Sequence, residues 1–322
     1  MARKRRRDVI DETVVGAYHV TSRTARRAFL TGIDPRTRRD TSHRKELIRL
    51  RIEVLASVFA IDVCDHTVLD NHLHLILRNR PDIVAGWSDQ EVARRWLRLN
   101  HSTLSLRDEP KQEWVDALVA DKVKLAAARR ALSSISEFMK QLKCAVAVVC
   151  NAEDGCSGCF WQSRFWCSRL ADDAALLVCS LYINLNPLRA GISKGIEDAE
   201  YTSTHARLED AKARDKQRAR SGYLSAVHED GDGYDGVKSG RRASNKGYLG
   251  VKFAEYVELL DAIVRRERAE RDGGELLEYP SILQRVGIGL AQWEHAVRLT
   301  SRRFSRELAL MADMYEEARR RK

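Results

Sequence analysis

Long apolar runs are the first thing missing from this chain. No segment approaches the roughly eighteen consecutive apolar residues of a membrane-spanning helix, and no apolar core follows the basic start, as a secretory signal requires. Proline is scarce, at five of 322 residues, and 44% hydrophobic with 32% charged side chains is a globular composition. There is room for one large or two modest domains. Cysteine forms no framework either. Seven is an odd number, which argues for a reducing cytoplasm over a disulfide scaffold. Acidic charge is in deficit, leaving a net charge of +10. That balance favours a polyanionic partner, most often nucleic acid. Part of it sits in Arg3-Lys4-Arg5-Arg6-Arg7, either an arm along phosphates or a solubilising terminus.

What is present reads as α+β. Val14 to Ser22 is β-branched and aromatic, a first strand. His43 to Ala60 has helical apolar spacing. Ile61–Leu69 and Asn71–Arg78 then read as a hairpin around Asp70-Asn71. Residues of about 81–130 form a charged helical insertion, with helices over Ser88–Leu99 and Lys111–Arg130 that sit outside. Ile135, Phe138, Met139, Leu142, Val146 and Val149 mark a helix with one apolar face. Phe160 to Arg169 reads as a fourth strand, and Ala171 to Asn186 as a helix that Pro187 ends. From about 205 to 250 the chain is a charged linker. Residues 251–322 read as a helical accessory domain, in which Pro280–Leu299 has a helix-turn-helix outline of a kind that is more often plain packing.

Chemistry centres on Asn71-His72-Leu73-His74-Leu75-Ile76-Leu77. A strand has a side-chain period of two, so His72 and His74 share one face while Leu73, Leu75 and Leu77 enter a core. Two imidazoles so placed can share a divalent ion, given one more ligand. Alone, they are also two polar residues on a half-wet sheet. Tyr182 and Asn186 are four apart, one turn from each other on one helix face. A phenol with pKa of about 10 is a nucleophile only when helped. An asparagine carbonyl suits a hard cation. Arg23, Arg26 and Arg27 follow the first strand and suit phosphate contacts or a solvated loop. Trp161, Arg164 and Arg169 suit stacking on unpaired bases and gripping phosphates, or a core with outward arginines. His19 and His66 read as structural or DNA-facing. Among Cys150, Cys156, Cys159 and Cys167, the run Cys156-Ser157-Gly158-Cys159 has zinc-pair spacing, but the second pair does not follow the pattern and small buried residues are the plainer reading.

Four motifs stand in order: Tyr18-His19-Val20-Thr21-Ser22-Arg23, Asn71-His72-Leu73-His74-Leu75, Phe160-Trp161-Gln162-Ser163-Arg164-Phe165, and Tyr182-Ile183-Asn184-Leu185-Asn186-Pro187-Leu188-Arg189-Ala190-Gly191. Over residues 1–204 they resemble the single-tyrosine HUH transposases, the family that includes the REP-associated tyrosine transposases of bacteria. The resemblance implies an antiparallel, ferredoxin-like sheet flanked by helices, with a helical C-terminal extension. It implies a metal site at His72, His74 and Asn186, holding Mg²⁺ or Mn²⁺, and Tyr182 as the nucleophile. The implied reaction cuts and rejoins single-stranded or hairpin DNA through a 5′-phosphotyrosine link, in a cytoplasmic, nucleoid-associated protein. A homodimer is one arrangement it allows, since related enzymes differ in whether the tyrosine acts within its own subunit. The chain departs from the pattern at Asp70, where the family often has proline, and in its longer insertion and tail. Two other functions stay open: binding of hairpin DNA without cutting, and a metal-dependent phosphoesterase that uses water.

Overall fold

The computed structural model describes residues 8–212, 219–228 and 241–273. The basic arm Arg3–Arg7 and the helix-turn-helix outline of Pro280–Leu299 lie outside the described residues. In chain order the elements are β1 (Gly16–Arg23), α1 (His43–Ala56), β2 (Ile61–Val68), β3 (His72–Asn79), α2 (Pro81–Ala85), α3 (Asp89–Leu97), α4 (Gln112–Ala120), α5 (Lys122–Ala131), α6 (Ile135–Glu153), β4 (Trp166–Leu170), α7 (Asp173–Arg189), α8 (Ser203–Lys212) and α9 (Phe253–Asp272). The strands form one sheet in the order β2-β3-β1-β4, and every neighbouring pair is antiparallel. This is the α+β, split β-α-β-β-α-β arrangement, with helices on both faces of the sheet.

Period-two alternation decides which helix covers which face. Leu73, Leu75 and Leu77 stand opposite Ser22, Val20 and Tyr18. They are buried in one core with Ile48, Ile52 and Leu55 of α1 and Phe138, Leu142 and Val146 of α6. Ile76, on the other face, joins a second core with Leu177 and Leu181 of α7 and Tyr256 and Leu260 of α9. The histidines of β3 are in phase with Ile76 and therefore lie under α7. Side-chain caps set the helix starts: Ser134 accepts from the Glu137 amide at α6, and Asp172 from the Ala175 amide at α7, each satisfying a donor that the helix leaves unpaired.

Several expectations need correction. The insertion is helical, but its helices are not merely outside, because Val92, Val115 and Leu125 are buried in the first core. Its 111–130 stretch is two helices, divided where the Asp121 side chain caps the Lys124 amide at 3.0 Å. The fourth strand begins at Trp166, not Phe160. Residues 160–162 are instead tied to the loop after β1, by Ala25 N donating to Phe160 O (2.8 Å) and Gln162 N to Arg23 O (2.9 Å). Pro187 does not end α7, which runs on to Arg189.

The charged stretch expected as a linker over 205–250 is built into the fold wherever it is described. Residues 203–212 are helix α8, Tyr223 and Leu224 are buried in the first core, and Tyr248 and Leu249 in the second. α9 packs on α7 in that second core, so its described residues share a core with the sheet.

Candidate active site

His72 and His74 project side by side, their ring centroids 4.9 Å apart and nearly perpendicular. The sheet and α7 bury both, at 6% and 0% exposure. From α7, the Tyr182 ring stands edge-on to His74 with centroids 5.7 Å apart. Asn186, one turn further on, donates from Nδ2 to the Tyr182 carbonyl (3.3 Å). Its Oδ1 is buried and has no hydrogen-bond partner among the described residues. An amide oxygen left so costs free energy unless something completes it. Of the four residues that the sequence singled out, His72 and His74 of β3 and Tyr182 of α7 are thus brought together, with Asn186 one helical turn from Tyr182.

A third histidine joins them. His19 stacks on His74 with centroids 5.2 Å apart, and its Nε2 is 2.9 Å from His74 Nδ1. Thr21 Oγ1 lies 3.1 Å from His74 Nδ1 and 3.3 Å from His19 Nε2. The signal was in the sequence: His19, Thr21 and Arg23 alternate along one strand face. Only the register, with Thr21 opposite His74 and Arg23 opposite His72, shows that this is the site's face. On the other imidazole, Asn71 Oδ1 accepts from His72 Nδ1 at 2.7 Å, which leaves the Nε2 of His72 as the ring's acceptor. Asp70, at the position where the resemblance leads one to expect proline, pairs with Lys45 at 2.6 Å beside the hairpin turn.

Burial dominates the electrostatics. It pulls His19 down to about 4. His72 falls to about 3, with burial first and the Arg23 charge second, and burial also holds His74 well below the ordinary imidazole value. All three are neutral at neutral pH, the form in which imidazole can ligate a cation. Burial likewise raises the Tyr182 phenol above its usual value, opposed by the Asn186 amide and the Arg189 charge. Arg189 lies over the Tyr182 ring, 5.9 Å from its centroid, and pairs with Glu267 of α9 at 2.5 Å. Among the described residues no group of three or more His, Cys, Asp or Glu could hold a metal ion. The ligands that the resemblance implies are instead two imidazoles and an amide, His72, His74 and Asn186. The buried Asn186 Oδ1 and the neutral ring nitrogens fit a divalent cation. The zinc-like cysteines do not assemble: Cys156 and Cys159 are exposed while Cys150 is buried.

The expected DNA contacts divide. Arg23, opposite His72 on β1, and the exposed Arg26, Arg27 and Arg164 lie on two segments joined by the backbone bonds of residues 23–25 with 160–162. Arg26 and Arg27 hold φ at 54° and 57°, in a left-handed region that such residues rarely enter. Hydrogen bonds from Thr24 Oγ1 to the Ala28 carbonyl (2.6 Å) and the Asn71 carbonyl (3.0 Å) pin the loop in that shape. Trp161 is not a stacking surface. It is 9% exposed, and its Nε1 donates to the Lys143 carbonyl at 2.9 Å. Arg169 stands opposite Tyr18, on the face turned away from the histidines.

No helix among the described residues is long and apolar enough to cross a membrane. No family model and no curated protein matches this chain. A solved structure of a REP-associated tyrosine transposase bound to a REP hairpin is similar over 66% of this chain and 87% of that one, at 16% identity and a TM-score of 0.38.

Proposed function

We propose that this protein cuts and rejoins single-stranded or hairpin DNA, with Tyr182 as the nucleophile. The observation that carries the reading is the Tyr182 ring standing edge-on to His74, beside His72, with Asn186 one helical turn from Tyr182 and Arg23 opposite His72 on β1. In the forward step Tyr182 Oη bonds to phosphorus and gives up its proton. The bond from phosphorus to the 3′ oxygen breaks, and that oxygen leaves as a hydroxyl. The result is a 5′-phosphotyrosine link. Because one phosphate ester replaces another, rejoining to a second 3′-hydroxyl needs no ATP.

Each side chain has a share of the work. Arg23, Arg26, Arg27 and Arg164 hold phosphates. His19 and Thr21 fix the His74 ring, and Asn71 fixes that of His72, as partners of ligating imidazoles do. His72, His74 and Asn186 would hold Mg²⁺ or Mn²⁺, which would supply polarisation of the scissile phosphate and neutralise charge developing on it.

One observation favours the second reading, a protein that binds such DNA without cutting it. Tyr182 is 3% exposed and its phenol is raised by burial, so the nucleophile must be uncovered before it reacts. Incubation with end-labelled hairpin DNA and Mn²⁺ separates the readings. A covalent protein–DNA adduct that is lost in Tyr182→Phe is the expected result. Binding with no adduct in the parent protein establishes the second reading instead, and cutting that survives in Tyr182→Phe points to water as the nucleophile.

A further inference from the structure

The basic-aromatic run before α7 contains one side chain whose exposure the packing does not explain. Phe160, Trp161 and Phe165 are buried, but Trp166, the first residue of β4, is 51% exposed. Register fixes where it stands. Trp166 is opposite Thr21 on β1, and Thr21 is opposite His74 on β3. Directly opposed residues share a sheet face, so Trp166, Thr21 and His74 form one row across three strands. At about 4.8 Å per strand, Trp166 lies about 10 Å from His74. The alternation along β4 agrees: Cys167 packs toward the first core and Leu170 toward the second, under α7. Trp166 is thus at the same end of the sheet as Arg23 and His72, next in sequence to the segment that carries Arg164.

We propose that Trp166 is the platform on which an unpaired DNA base stacks beside the scissile phosphate. The inference rests on the DNA-cleaving reading and deepens it. A row of arginines at one sheet end attracts a polyanion of any kind. An indole face among them selects a strand whose bases are unpaired and turned outward, because a base inside a duplex is already stacked on both faces by its neighbours. This is the role that the sequence assigned to Trp161, moved to the one aromatic of the run that solvent reaches.

The test uses the full chain with two probes of equal length and charge, an oligothymidylate and an abasic deoxyribose-phosphate chain, and reads affinity by fluorescence anisotropy. The unsubstituted protein is expected to prefer the oligothymidylate by about tenfold. Trp166→Ala is expected to bind both probes equally, with its affinity for the abasic chain unchanged. Trp166→Phe, which keeps an aromatic face, is expected to retain most of the preference and guards against a folding defect. A Trp166→Ala protein that still prefers the oligothymidylate overturns the proposal, and leaves the Tyr182 reading standing if the adduct still forms. Equal binding of the two probes by the unsubstituted protein, or binding of neither, also overturns the proposal, while the Tyr182 reading falls only if no adduct forms on hairpin DNA.

Discussion

His66 shows what burial does to a titratable side chain in this sheet. It is 1% exposed, with Nδ1 on the Ser203 hydroxyl and Nε2 3.1 Å from the Tyr223 hydroxyl. Burial pulls its pKa down to about 3, helped by the charges of Arg207 and Arg49. The unfolded chain therefore binds a proton first, near the ordinary value of about 6.5. Stability from this residue is complete above that pH and lost as pH falls toward 3, by about 1.4 kcal/mol per unit. Urea unfolding with a chelator present should show a falling midpoint between pH 7 and pH 5, and the fall should be shallower in His66→Gln. An identical slope in the variant would assign the acid sensitivity elsewhere. His19 makes a different prediction, about orientation. Its contact with His74 fixes a ring that ligates a cation on the proposed reading, and loss of such a partner costs roughly ten- to a hundredfold in metal affinity. Calorimetric titration of His19→Ala with Mn²⁺ should show that loss while the unfolding curve stays cooperative. An unchanged affinity would remove His19 from the site.

α7 is where an element corrects a residue rule. Proline has no N–H, so Pro187 cannot donate to the carbonyl four residues back, that of Ile183. Thr67 Oγ1 of β2 donates to that carbonyl instead, at 2.6 Å. Thr67 stands opposite His74, and Ile183 lies between Tyr182 and Asn186. The bond that permits a proline inside the helix therefore also ties the turn of Tyr182 and Asn186 to the sheet position of the histidines. Thr67→Val keeps the shape and leaves the carbonyl buried and unsatisfied, a cost of about 1–3 kcal/mol, whereas Thr67→Ser should recover most of it. Chemical denaturation reads this directly; equal stability of Val and Ser variants would show the bond to be worth little. The same element marks how far the sequence could be read. β3 was legible because its leucines and histidines alternate without interruption, and the helix of Tyr182 and Asn186 was legible from its apolar spacing. β4 was not. Its face assignment depends on where the strand begins, and tertiary bonds to residues 23–25, invisible in the local pattern, hold Phe160–Gln162 out of it. Pro187 misled for the same reason, since its compensating hydroxyl lies far away in the chain.

At the scale of the whole molecule, a buried carboxylate joins the parts that composition had separated. Asp65, on β2, is fully buried. Its Oδ2 accepts from Ser180 (2.5 Å) and Asn184 (2.7 Å) of α7 and from Tyr248 (3.3 Å). The Tyr256 hydroxyl of α9 completes the set, 2.9 Å from Ser180 and accepting from Asn184 at 3.0 Å. Burial raises the Asp65 carboxyl, and Arg207 works against that shift. Polar density made residues 205–250 look like a tether, because isolated pairs such as Tyr223-Leu224 and Tyr248-Leu249 carry no periodicity. Those pairs, with Arg78 donating to the Lys246 and Gly247 carbonyls at 2.8 and 2.9 Å, close the sheet on the side of β2 and β3. It follows that a chain stopped after residue 204 is not a catalytic domain freed of an accessory. It loses Tyr256, Leu259, Leu260 and Ile263, each at 2% exposure or less. At about 1.5–3 kcal/mol for each buried side chain, that loss rivals the roughly 5–15 kcal/mol by which a domain is stable. The truncated chain should melt without cooperativity or precipitate, and should form no adduct because α7 has lost its cover. A cooperative melt within a few degrees of the full chain, followed by circular dichroism, would instead show that the sheet and α7 stand alone and that the segment from Tyr248 to α9 merely rests on them.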